Sequence, residues 1–358
     1  MTEATTAENK ITAPLGAVLV AGVYSDGWAH LNLGGLDSFF TPWHGVLYGG
    51  FSLLTAWLAW MVWRRRNTGD RWVDRVPRGY GWGLTGVAVF AVGGLLDMVW
   101  HTVFGIEVGI DALVSPTHLL LLTGALLMIS SPLRAAAPLP SAVEHRVHQW
   151  PAVVSLAAAV SLMGFFLSYV SVFADPGPRE PFVIIPEGLP EHRASELPAI
   201  AGLGGYLVFT VLLVVPLLYL RRRARLPHGT VTVLVAAIAL PAAALSQMIF
   251  AVPAVAALAA GSIVDVILTI RPELSAVALA GLVPGLVWAG QLSGLAITGA
   301  LRWPVELWAG VVGLTVMLSL ALAWLTQPGR LEDASQPSQF SRRTHGDATE
   351  ESWTHEHT

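Results

Sequence analysis

Residues 43–63 read WHGVLYGGFSLLTAWLAWMVW, and the next three are Arg64, Arg65 and Arg66. No Asp, Glu, Lys or Arg interrupts that run. A helix rises about 1.5 Å per residue, so about 20 apolar residues cross a hydrocarbon core ~30 Å thick. Inside that core every backbone N–H and C=O must be paired within the segment, which a helix achieves. The arginines mark where the chain leaves lipid. Working outward, comparable runs fall at about 12–28, 81–102, 117–133, 151–173, 198–220, 229–250, 274–299 and 304–326. The stretch 252–270 is equally apolar but contains Pro253, Gly261 and Asp265, and reads either as a tenth span or as a helix at the interface. The expectation is an all-α, polytopic transmembrane bundle of nine or ten spans.

Composition agrees. The chain is 54% hydrophobic and 12% charged, against about 25% charged in a soluble domain. A net charge of −4 offers no electrostatic footprint for nucleic acid; the expected partner is the lipid bilayer. There are no cysteines, which excludes disulfides, thiolate metal sites, iron–sulfur clusters and cysteine nucleophiles. Any metal must therefore be held by His, Asp, Glu or backbone oxygen.

Arginine placement orients the bundle. Six arginines occupy 64–78, four occupy 221–225, and Arg134 and Arg146 lie between spans four and five. The positive-inside rule places these loops, and with them the N-terminus, in the cytoplasm. Loops 29–42, 103–116 and 174–197 then face outward, the last being rich in Pro, Gly and Glu and reading as an irregular lid. The opening MTEATTAENK lacks a basic stretch, so the first span is expected to act as its own insertion signal. The expected organisation is a cytoplasmic segment 1–11, a transmembrane domain 12–327 and a polar, disordered tail 328–358. The tail's His345, His355 and His357 read as solvated.

Two segments match each other. The first is Asp26-Gly-Trp-Ala-His30 followed by Asp37-Ser-Phe-Phe-Thr41-Pro42-Trp-His44. The second is Asp97-Met-Val-Trp-His101 followed by Asp111-Ala-Leu-Val-Ser115-Pro116-Thr-His118. In D-x3-H the side chains sit at i and i+4, on one face of a helix and one turn apart. Thr41 and Ser115 read as N-caps, Pro42 and Pro116 as first helical residues. His44 and His118 then fall in the first turn of the following span. Two helical hairpins of related design would bring four imidazoles and two carboxylates to one depth near the outer face. Polar groups at the edge of hydrocarbon are costly unless paired, so this cluster is the candidate site. Imidazole with carboxylate and no sulfur suits Cu, Fe, Zn, Mn or Ni. The six residues could form one mononuclear site or a pair of His2Asp sites. Asp37, Glu107, Asp111 and Gln247 are candidates for a supporting shell.

This Asp-x3-His…His pattern resembles the C subunit of copper membrane monooxygenases, the particulate methane and ammonia monooxygenase family. The resemblance covers about a quarter of the chain. It implies a membrane copper site, with Asp26, His30 and His44 as one ligand set and Asp97, His101 and His118 as the other. It also implies a small apolar substrate, and further copies or partner membrane subunits.

Three function classes compete. One is a copper- or iron-dependent membrane oxidoreductase. A second is a zinc-dependent membrane hydrolase, in which zinc lowers the pKa of bound water; families of that kind carry an HxxxH pair late in the chain, absent here. A third is a non-enzymatic transport or sensing protein for transition metals. Deeper polar candidates for a transport path are few, chiefly Ser246, Gln247 and Asp265. A di-haem cytochrome would want histidines stacked along continuous helices, unlike this pattern.

Overall fold

In the computed structural model, which describes residues 2–33, 39–67, 71–105, 109–136, 149–223 and 225–326, the first helix starts earlier than the apolar run that signals it. The Thr5 side chain accepts from the Glu8 N–H, and the Glu8 carboxylate accepts from the Thr5 N–H. This capping box satisfies two orphan donors and starts α1 at Thr6–Asn32. Residues 6–11 thus belong to the first helix. Glu8 is buried and accepts from Arg64 Nη2 at 2.5 Å and from Arg65 Nη1 and Nη2 at 2.6 and 2.7 Å. The arginine run that ends the second helix therefore clamps the start of the first.

The chain continues as α2 (Pro42–Arg64), α3 (Trp72–Arg75), α4 (Gly81–Phe104), α5 (Ile110–Val114), α6 (Pro116–Ile129), α7 (Ser131–Ala135) and α8 (Trp150–Phe166). It ends with α9 (His192–Arg223), α10 (Thr230–Leu245), α11 (Ala251–Ile270), α12 (Ala276–Ile297) and α13 (Val305–Leu325). The described residues contain no strand. Helices α2, α4, α9, α11, α12 and α13, six in all, are long and apolar enough to cross a membrane; α6, α8 and α10 are shorter apolar helices. The protein is an all-helical membrane protein. The ambiguous stretch 252–270 is one of the six. Its Asp265 does not break the helix, because the buried carboxylate accepts from Val231 N, Thr232 N and Thr232 Oγ1 at 3.1, 2.8 and 2.6 Å. It caps the start of the neighbouring α10, satisfying donors that have no partner inside their own helix.

Three expected spans are shortened. Helix α8 stops at Phe166 and passes into a 3-10 turn at Ser168–Val170, and α10 stops at Leu245, before Gln247 and Met248 with positive φ. Helix α6 ends at Ile129 and restarts as α7. Apolar residues resume past the stops of α8 and α10, which is why composition overruns them, whereas α6 gives way to Ser130-Ser131-Pro132 and the proline sits in the first turn of α7. The lid expected over 174–197 holds a 3-10 turn at Gly177–Arg179, and its last residues begin α9. The tail 328–358 lies outside the described residues.

Two large cores organise the bundle, with a small third cluster of Val214, Leu218, Ala280 and Ala323. Helix α1 packs on α2 and α8, and α4 packs on α6, around Leu19, Leu54, Leu58, Phe90 and Met128. Helices α8 to α13 form the other, around Tyr206, Phe209, Leu234, Val287 and Trp288. Small residues permit the close approaches of the first. A Cβ on Gly22 would lie 2.9 Å from Leu47 Cα, and one on Gly124 would lie 2.6 Å from Phe90 N, as at helix contacts in lipid generally.

Candidate metal centre

The site is built at helix ends. Asp26 and His30 sit in the last two turns of α1, and Asp97 and His101 in the last two of α4. Thr41 and Ser115 are the N-caps of α2 and α6, each accepting from the N–H of the histidine three residues on. Each cap hydroxyl also contacts that histidine's ring: Thr41 Oγ1 is 3.0 Å from His44 Nδ1, and Ser115 Oγ is 2.7 Å from His118 Nδ1. The Ser/Thr-Pro-x-His pattern thus starts the helix and orients the imidazole with one hydroxyl.

The carboxylates organise two triads. In the first, Asp26 lies 3.2 Å from His44 Nδ1 and 3.8 Å from His30 Nε2. In the second, Asp97 lies 3.3 Å from His118 Nε2 and 3.5 Å from His101 Nε2. Within each triad, one ligand atom per residue falls within 4.8 Å of the others. This geometry favours two His2Asp sets over one six-residue cluster. All six residues nevertheless line one cavity of about 160 Å3, walled otherwise by Ser168 and by apolar groups from α1, α2, α4, α5, α6 and α8. Phe39 stands between the sets, its ring 4.8 Å from His44 and 6.3 Å from His101.

The sets differ in their support. Asp97 Oδ1 accepts from Thr117 Oγ1 at 2.9 Å, and its side chain is 1% exposed. Asp26 is 17% exposed as a side chain, and its buried Oδ1, though 3.2 Å from His44 Nδ1, has no hydrogen bond. A buried acceptor without a donor costs about 1–3 kcal/mol and calls for an explanation. A cation at the triad would supply one. The donor set of imidazole and carboxylate oxygen is chemically suited to a transition metal.

The remaining candidates fall elsewhere. Asp111 is exposed on α5. Asp37 and Glu107 lie outside the described residues. Gln247 donates to Asn32 Oδ1 at 2.6 Å, tying the turn after α10 to the end of α1, and Ser246 bonds Ala243 O. Trp28 and Trp43 pack edge to face on each other at 5.9 Å, and Trp100 packs on Phe104. The cavity's aromatic wall comes instead from Phe90, Phe165 and Phe166.

No protein family model matches this chain, and neither does any curated protein or solved structure. The reading therefore rests on the residues. Motif spacing missed three that matter: Thr117, which holds Asp97; Phe39, between the sets; and Tyr48, stacked on His44 with centroids 6.3 Å apart. Thr117 and Tyr48 carried a usable signal. Thr117 fills the position between Pro116 and His118, and Tyr48 follows His44 by one turn.

Proposed function

We propose that this protein is a metal-binding integral membrane protein, with Asp26, His30 and His44 holding one ion and Asp97, His101 and His118 a second. Copper is the preferred metal, then iron or zinc, and the activity a copper- or iron-dependent oxidation of a small apolar substrate. The observation that carries this is two matched Asp/His/His triads lining one largely apolar cavity. Bound there, a redox metal would supply one-electron chemistry. The chain's own residues do the rest. The carboxylates and cap hydroxyls fix the imidazoles, and the apolar walls exclude water and suit a substrate arriving from lipid. The ligand pattern resembling copper membrane monooxygenases supports the same reading. Away from the helix ends, Leu19, Leu54, Leu58 and Met128 close the bundle, which favours holding a metal over passing it through.

With the six long helices, α1 and the three shorter apolar helices would make ten spans. The arginines of 64–78 and 221–225 would then, by the positive-inside rule, put the N-terminus in the cytoplasm and both triads near the outer face. Elemental analysis of purified protein tests the site. Wild type should carry up to two equivalents of transition metal, and His30→Ala/His118→Ala should lose most of it. Metal content unaltered by the double substitution rejects the reading.

A further inference from the structure

Four tyrosine hydroxyls are withdrawn from solvent, and three have partners. Tyr24 donates to Ser161 O at 2.9 Å, Tyr80 to Asn9 Oδ1 at 2.7 Å and Tyr206 to Gln291 Oε1 at 2.5 Å. The buried hydroxyl of Tyr48 has no hydrogen-bond partner. In a protein that pairs its other buried phenols, this exception lies beside the candidate metal centre. The Tyr48 ring stacks on His44 with planes 19° apart, and Phe39 and Phe90 flank it at 5.9 and 6.2 Å.

The neighbouring helix is shaped to receive it. A Cβ on Gly94 would sit 2.9 Å from the Tyr48 hydroxyl oxygen, so a larger residue there would displace the ring. Gly94 precedes Asp97 by three residues on α4, so the two share a helix face. One aromatic side chain on α2 thus touches a histidine of the first set and lies on the face of α4 that carries the second set's carboxylate. If the phenol were needed only for packing, phenylalanine would fill the same space without an unsatisfied donor.

We propose that Tyr48 is a positioning residue whose O–H donates a hydrogen bond to the non-protein ligand, a water or small anion, that the metal centre carries. The proposal rests on the metal reading above. Its chemistry is that of an acceptor oxygen or nitrogen held at the metal centre and steadied by a fixed donor. No bond to the protein forms or breaks.

Full-length protein and Tyr48→Phe, purified in lipid nanodiscs and loaded with Cu(II), provide the test, with azide as the small-anion probe. The readouts are copper stoichiometry, the Cu(II) electron paramagnetic resonance spectrum during azide titration, and the thermal midpoint. The variant should bind as much copper as wild type and melt at the same temperature or higher. Its azide dissociation constant should rise about tenfold, the usual size of one hydrogen bond to a charged acceptor, and its azide-bound spectrum should shift. Equal copper with unchanged azide affinity and spectrum makes Tyr48 a packing residue and overturns the proposal alone. Wild type that takes up no copper overturns the metal reading and this proposal with it. If Tyr48→Phe does not fold, a fluorinated tyrosine at position 48 decides the matter. It keeps the ring's shape and donates more strongly, so azide must bind more tightly; unchanged affinity overturns the proposal.

Discussion

The two Asp/His triads are near copies in sequence and unequal in structure. Each has a carboxylate and an imidazole one turn apart on a helix end, and a second imidazole held by a Ser/Thr-Pro helix start. They part in which nitrogen faces the carboxylate, Nδ1 of His44 against Nε2 of His118, and at the position between the proline and the histidine. Thr117 there gives Asp97 a hydroxyl donor; Trp43 turns to pack on Trp28 and leaves Asp26 Oδ1 without one. A single side chain thus adds a hydroxyl donor to one buried carboxylate and not to the other. The second set's carboxylate is held by a hydroxyl, and the first set's is not.

The largest expected effect comes from removing each carboxylate in metal-free protein. Asp97→Ala strips Thr117, His101 and His118 of a buried acceptor and should cost about 3 kcal/mol, as breaking a buried hydrogen-bonded pair does. Asp26→Ala removes an acceptor that is partly unsatisfied, and should cost about 1 kcal/mol or less. Chemical unfolding in one detergent compares them directly, and equal losses would remove the distinction between the sets. A smaller effect is expected from Thr117→Val, which keeps the shape and deletes the donor. It should cost about 1–2 kcal/mol and make the second set resemble the first, releasing metal to a chelator sooner than wild type does. Unchanged release kinetics would show that Thr117 does not support the ligand. The smallest effect belongs to Asp111→Asn on the exposed short helix α5. Neither thermal midpoint nor metal content should move; a loss of metal would enlist Asp111 as a further ligand.

How much could be read in advance follows from how local each signal is. The caps at Thr41 and Ser115, the first-turn positions of His44 and His118, and the i, i+4 pairs depend on residues within one turn, and the structure has them where the spacing expects. The early start of α1 was equally local, written as Thr5-x-x-Glu8, but hidden because an apolar-run criterion discards charged residues. The end of α8 was not legible, since the chain stays largely apolar there, whereas α10 ends just before the polar pair Ser246-Gln247, too short an interruption for an apolar-run criterion to register. Nor was Asp265, whose carboxylate satisfies N–H groups 33 and 34 residues away in sequence.

Sequence alone determined that this chain is a helical membrane protein and that four histidines and two aspartates cluster near helix ends. Both follow from short-range rules: lipid forces backbone pairing within a segment, and helical periodicity places neighbours. Only tertiary structure decided that the six residues form two triads around one cavity, that Thr117 completes one of them, and that the Tyr48 hydroxyl lies against Gly94 without a partner. Those outcomes depend on how closely α1, α2, α4 and α6 approach. That is set by side chains on different helices meeting through space, and no one-dimensional spacing records it.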